Sequence, residues 1–288
     1  MNNKHILVTG GAGFIGSHLC EKLVSEKFIT HSLDNYSTGS ASNHVNGVNY
    51  IVGDILDIAN IDIPIPSIIF HLGEYARVEQ SFEDVARVMQ SNIVGTQAVL
   101  EFSRQHNIKL VYAGSSTKFS DGGLGRNLSP YAWTKASNTD LIINYGDWFN
   151  LRYAITYFYN VYGPREISEG NYATLIALFK QQYEKNLPLT VVAPGTQRRH
   201  FTHVSDIVEG LFRVGMEGEG DGYGLGSTDC YSILEVAEMF KTELIMLPER
   251  LGNRMSSQLD VSRAKNEFGW HAQRSLKHYV ESIITRTN

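Results

Sequence analysis

The chain opens with a short apolar run, Ile6-Leu7-Val8-Thr9, bounded by polar residues and glycines. So short a run reads as a buried strand. Residues 14–26 then place Ile15, Leu19, Leu23 and Val24 at helical spacing. The alternation continues. Residues 28–34, 49–52, 67–70, 110–112 and 154–157 read as strands. Residues 85–106 and 130–150 read as helices, the second opened by Pro130. Strands separated by helices predict βαβ units, and right-handed crossovers place the helices on both faces. The expected fold is α/β with a doubly wound parallel sheet. Regularity declines after Gly163. One helix is expected near 172–185. Another is expected over 233–240, where Ser232 followed by Glu235 makes a capping-box pattern. These later elements predict a smaller C-terminal lobe. Residues 1–165 form the main domain, with 201–226 returning to it, and 166–288 mainly form the lobe.

Composition narrows the class. Of 288 residues, 42% are hydrophobic and 19% charged, which excludes a disordered or fibrous chain. The net charge of −5 gives no basic surplus for nucleic acid or an anionic membrane. Cys20 and Cys230 stand far apart, without metal spacing or a disulfide framework. No apolar run approaches the roughly 18 residues of a membrane span, and none near the start resembles a signal peptide. A cytoplasmic protein is expected.

The first candidate chemistry lies between the first strand and helix. Gly10, Gly13 and Gly16 stand there in G-x-x-G-x-x-G spacing. Such glycines permit a tight exit from the strand, a close approach to a pyrophosphate and close packing of helix on sheet. The helix N-terminus offers free N–H groups to phosphate. Asp34, ending the second strand, can accept hydrogen bonds from ribose hydroxyls. It would repel a 2′-phosphate, and no arginine follows in 35–40. NAD is therefore expected over NADP.

A second constellation is Tyr131 and Lys135, one helical turn apart on the same face. A lysine ammonium stabilises a nearby phenolate, and a tyrosine so tuned can take a proton from a hydroxyl. Beside NAD, that is alcohol oxidation. Ser115 follows the strand at 110–112, at the end that faces the ligand crevice in such sheets, where its hydroxyl can hold the reacting oxygen.

These motifs together resemble the extended short-chain dehydrogenase/reductase family, specifically its NAD-dependent nucleotide-sugar epimerases and dehydratases. The likeness extends through Gly53-Asp54-Ile55, His71-Leu72-Gly73, Asn92-Ile93-Val94-Gly95-Thr96 and Asn160-Val161-Tyr162-Gly163-Pro164-Arg165. It continues in Gln197-Arg198-Arg199-His200-Phe201, Arg250-x-Gly252, Ser257, Asp260 and Phe268-Gly269-Trp270. The resemblance implies a Rossmann-type NAD domain with a smaller substrate-binding lobe. It implies cofactor contacts from Gly10, Gly13, Phe14, Ile15, Gly16, Asp34, Asn35, Ser37, Thr38 and Gly39. Asp54, Ile55, Leu72, Gly73, Asn92, Tyr131 and Lys135 join them. For the nucleotide-diphosphate sugar it implies Ser115, Ser116, Asn160, Arg199 and Arg250. The two arginines suit diphosphate because their planar forks match phosphate oxygens. The resemblance also implies a homodimer through helices near 88–102 and 131–145.

The departures redirect the chemistry. The 4,6-dehydratases of this family carry Asp-Glu after the catalytic Ser/Thr; here Ser116 and Thr117 stand there, which disfavours dehydration. The glutamate used near this segment by related decarboxylases is absent too. A charged Glu74 departs from the family's usual His-Leu-Ala-Ala start, and Glu74, Tyr75 and Arg77 are assigned to the sugar pocket. A structural ion pair between Glu74 and Arg77 is the alternative. His200 stands where the family carries Asp, and His200 with His203 lacks the further ligands of a metal site. No metal is expected. The expected reaction is 4-epimerisation through a 4-keto sugar. The alternatives are a 4-dehydrogenase that releases the ketone and a noncatalytic NAD-binding regulator.

Overall fold

The computed structural model describes residues 4–119, 121–249 and 258–287. Its centre is a seven-stranded sheet built from β1 (His5–Thr9), β2 (Ile29–Asp34), β3 (Val48–Val52), β4 (Ile68–His71), β5 (Lys109–Ser115), β6 (Tyr153–Phe158) and a late strand, Gly220–Leu225. The spatial order is β3-β2-β1-β4-β5-β6 with the late strand beyond β6, and every pairing is parallel. The order reverses direction between β1 and β4, so a crevice opens at the strand ends there.

The short strands are apolar on both faces because both faces are covered. Ile6, Val8, Phe70, Val111 and Ala154 pack on one side with Leu19 and Leu23 of α1 (Phe14–Ser25). Ile207 and Leu211 of the helix Val204–Glu217 share that side. The alternate residues Leu7, Ile69, Leu110, Tyr112 and Ile155 face the other way. They meet the helical run over 85–105 and the long helix Pro130–Phe149. The chain thus leaves the main body after Tyr162 and comes back at Val204–Glu217 and Gly220–Leu225 to extend the sheet edge.

The run expected as one helix over 85–106 is helical throughout but not uniform. It comprises α2 (Val85–Val88), a π-helical turn (Met89–Val94) and α3 (Gly95–Gln105). The wide turn rolls Asn92 fully inward. Its Oδ1 accepts the Tyr75 N–H at 2.8 Å, and its Nδ2 donates to the Tyr75 carbonyl at 3.1 Å and Thr134 Oγ1 at 3.0 Å.

The smaller lobe has its own core of Ile176, Phe179, Leu189, Val191, Val236, Phe240, Leu276 and Val280. It gathers the helices Leu175–Glu184, Ile233–Glu238 and Leu276–Thr287 around the parallel pair Leu189–Val192 and Leu244–Leu247. The capping box is present at its start: Ser232 Oγ accepts the Glu235 N–H, and the Glu235 carboxylate accepts the Ser232 N–H.

Candidate active site

A cavity of about 710 Å³ lies between the sheet's crevice and the smaller lobe. That volume is ample for a ligand of dinucleotide or nucleotide-sugar size. At one end stand Gly10, Gly13, Phe14, Ile15 and Gly16. Gly10 has φ +74°, a left-handed conformation that suits glycine. A Cβ on Gly16 would lie 2.1 Å from the Gly10 carbonyl oxygen, so only glycine lets α1 start this close to β1. Ser17 N–H then bonds back to Gly13 at 3.1 Å.

Asp34 ends β2 beside this loop. Its Oδ2 accepts the Ala12 N–H at 2.9 Å and its Oδ1 the Tyr36 N–H at 2.8 Å. Asn35, Ser37, Thr38, Gly39, Asp54, Ile55, Leu72 and Gly73 line the same end. Asn35 Nδ2 is tied to Asp54 Oδ2 at 2.8 Å, which sets both side chains. A glycine cradle and a carboxylate at the strand end are what an adenosine diphosphate requires, and the residues fit NAD on that ground. Asn92 is a correction: it lies off the cavity wall, and its amide organises the chain around Tyr75 instead.

Ser115, Tyr131 and Lys135 all line this cavity. The helix α4 (Pro130–Phe149) begins there because Ser129 Oγ caps the Ala132 N–H at 3.1 Å and Pro130 occupies the first turn. Tyr131 and Lys135 follow in its first two turns. Ser115 ends β5, and its Oγ accepts from Thr117 Oγ1 at 2.9 Å and Thr117 N–H at 3.3 Å. Lys135 Nζ donates to the Ala113 carbonyl at 2.7 Å and to Glu74 Oε2.

Glu74 stands in the cavity wall, with its side chain 1% exposed. It pairs with Lys135, not with Arg77. Arg77 lines the cavity and donates to the Tyr172 carbonyl through Nε at 2.9 Å and Nη2 at 2.5 Å. Tyr75 is the second correction. It is buried off the cavity, with its hydroxyl on Asp84 at 3.1 Å and its ring edge-on to Tyr172.

Ser116, Asn160 and Arg199 line the cavity as expected positions for the sugar nucleotide. Arg199 is buried, and its Nη1 donates to the Arg198 carbonyl at 2.8 Å. Arg250, with Gly252 and Ser257, lies outside the described residues. His200 and His203 are each engaged elsewhere, on the Ser227 carbonyl at 3.0 Å and on Ser205 at 2.6 Å. Glu166 was missed by sequence reasoning. It enters the cavity wall just past Gly163-Pro164-Arg165, accepting the Gly163 N–H at 2.7 Å and the Thr174 hydroxyl at 2.5 Å. Burial pushes its carboxyl up to about 7. Its proximity to the turn that follows Asn160 was the available signal.

Known proteins resemble this chain in sequence and fold. A putative UDP-glucose 4-epimerase from Methanocaldococcus jannaschii is 28% identical, with 97% of each chain covered. UDP-glucuronic acid decarboxylase 6 from Arabidopsis thaliana is 29% identical over 96% of this chain and 86% of its own. The crystal structure of UDP-glucose 4-epimerase from Thermotoga maritima with UDP-glucose superposes with a TM-score of 0.91 at 25% identity, covering 98% of this chain and 97% of that one. The family model for NAD dependent epimerases and dehydratases matches residues 6–226, which include the glycine cradle, Asp34, Ser115, Tyr131, Lys135 and Arg199. With its parallel sheet, glycine cradle and Tyr131–Lys135 pair in one cavity, the chain belongs to the NAD-dependent epimerase/dehydratase family.

Proposed function

We propose that this protein is a nucleotide-sugar 4-epimerase working through a 4-keto intermediate. The observation that carries it is the meeting of Ser115, Tyr131 and Lys135 in one cavity, with Ser116 and Thr117 in place of an acid–base pair. Gly10, Gly13, Gly16 and Asp34 hold NAD, which supplies the hydride acceptor when bound. Thr117 donates two hydrogen bonds to Ser115 Oγ, leaving the Ser115 proton to hold the sugar oxygen. Tyr131 takes the proton of the 4-hydroxyl and returns it after the ketone has turned over. Lys135 stands one helical turn from the Tyr131 phenol, on the same face of α4. Arg199 and Asn160 hold the diphosphate end, and Arg250 is assigned there on the resemblance alone. Glu166 in the wall is engaged by Gly163 and Thr174, which suits a role in shaping the pocket.

A homodimer through the helices near 88–102 and 131–145 fits the exposed apolar side chains on those segments, where Val94 and Trp133 are 42% and 44% exposed. No described helix is long and apolar enough to cross a membrane. The deciding experiment is incubation with a panel of nucleotide sugars, followed by NMR. Epimerised sugar without net NADH supports the proposal. Accumulated ketone with NADH makes the protein a 4-dehydrogenase, and no turnover on any sugar makes it a binding protein.

A further inference from the structure

Glu74 is a buried carboxylate inside the active-site wall, and the chemistry above does not use it. Four side chains from three elements converge on it. Lys135 Nζ reaches Oε2. Oε1 accepts from Asn138 Nδ2 at 2.9 Å, Thr96 Oγ1 at 3.0 Å and Tyr112 Oη at 3.1 Å. A buried ion pair needs hydrogen bonds on its remaining lone pairs, and these donors supply them.

The pair constrains Lys135. An ammonium has three N–H groups. One goes to Glu74 and one to the Ala113 carbonyl. One remains for the cavity. The ammonium also lies 4.9 Å above the Tyr112 ring. Its position is therefore set from the protein side, before any ligand arrives. Its charge is set as well: a carboxylate in contact offsets the field that Lys135 exerts on Tyr131.

We propose that Glu74 is a positioning residue that acts through Lys135, fixing the ammonium and raising the pH at which Tyr131 gives up its proton. The proposal rests on Tyr131 being the base of the reaction proposed above. Other charged and titratable groups face this cluster. His71, from β4, contacts Thr96 Oγ1 at 3.0 Å and is held neutral by burial, down to about 4. Tyr112, from β5, is kept protonated by burial and by Glu74. Arg77 faces Tyr131 from the cavity side and Glu166 faces Arg77. None of them touches the Lys135 ammonium as a carboxylate does. Removing the negative charge of Glu74 should ease ionisation of Tyr131, because every nearby acid loses a proton more readily when an anion is taken away.

The test needs no sugar, so its failure and the failure of the epimerase reading are separable. Protein with 13C at the tyrosine Cζ, saturated with NAD, is titrated by NMR; the resonance absent from Tyr131→Phe identifies Tyr131. In Glu74→Gln, which keeps the shape, Tyr131 should ionise about one pH unit or more below wild type. Glu74→Asp, which keeps the charge, should stay near wild type. Glu74→Met is the second neutral variant, for the case that Gln misfolds. An unchanged Tyr131 titration in a folded neutral variant overturns the proposal. So does an equal shift in Asp and Gln, or loss of fold in both neutral variants while Asp folds, which would assign Glu74 to the fold alone.

Discussion

Asp34 and Ala12 meet at the end of β2, where the Ala12 N–H donates to Asp34 Oδ2 at 2.9 Å. The same carboxylate accepts the Tyr36 N–H at 2.8 Å, so it is held rigidly at the cavity's edge. Each oxygen keeps a further lone pair for a ribose hydroxyl. NAD should bind more tightly than NADP, whose 2′-phosphate would meet this charge. Asp34→Ala should weaken NAD by about 1.5–3 kcal/mol and narrow the preference. Calorimetric titration with both cofactors measures it; equal or tighter NADP binding by wild type rejects the assignment.

Tyr131→Phe should leave the fold and NAD binding nearly intact, because the ring and its packing remain. It removes the oxygen that receives the substrate proton. NADH formation in a single turnover should fall about 10²–10⁴-fold. Neither Ser115 nor Thr117 offers a base at neutral pH. Rapid-mixing absorbance, with sugar-nucleotide binding checked separately, reads the step.

Arg199 stands in the cavity wall on a strand, Arg198–His200, paired antiparallel with Cys230–Ser232. Arg199→Ala should weaken nucleotide-sugar affinity by about 1.5–3 kcal/mol, the cost of a lost charged hydrogen bond. NAD affinity should hardly change. Titrating UDP alone and then UDP-glucose distinguishes the diphosphate from the sugar as the group that is lost. Unchanged affinity for both in a folded variant removes Arg199 from the phosphate site.

Glu166 makes stability depend on pH. Burial raises its carboxyl from 4.5 to about 7, so the folded chain keeps a proton that the unfolded chain has released. Its contribution is full below the unfolded value and is lost as pH rises through about 7. Between about pH 5 and about pH 8 the loss should amount to about 2.5 kcal/mol. Glu166→Gln cannot ionise and should flatten that slope. Urea unfolding at about pH 5 and about pH 8 compares the two proteins. Equal slopes would show that Glu166 ionises in the folded chain as freely as in water.

The glycine spacing of Gly10, Gly13 and Gly16, Asp34 at a strand end, and Tyr131 with Lys135 on one helical turn are all local patterns. So are the alternating strands and helices. Local pattern alone therefore determined the doubly wound sheet and picked out residues that line one cavity. What it left open depends on contacts between distant segments. Glu74 and Lys135 are 61 residues apart, and the loop after β4 and the helix α4 that carry them meet only once the sheet has formed. Nothing in the neighbours of Glu74 distinguishes Lys135 from Arg77 as its partner. Asn92 turned inward through a π-helical turn that periodicity cannot show. Glu166 reached the cavity because the chain turns sharply after Tyr162, bringing the smaller lobe over the crevice. The tertiary structure decided these positions because burial and the pairing of buried charges are properties of the packed whole, settled only when several elements close around the same space.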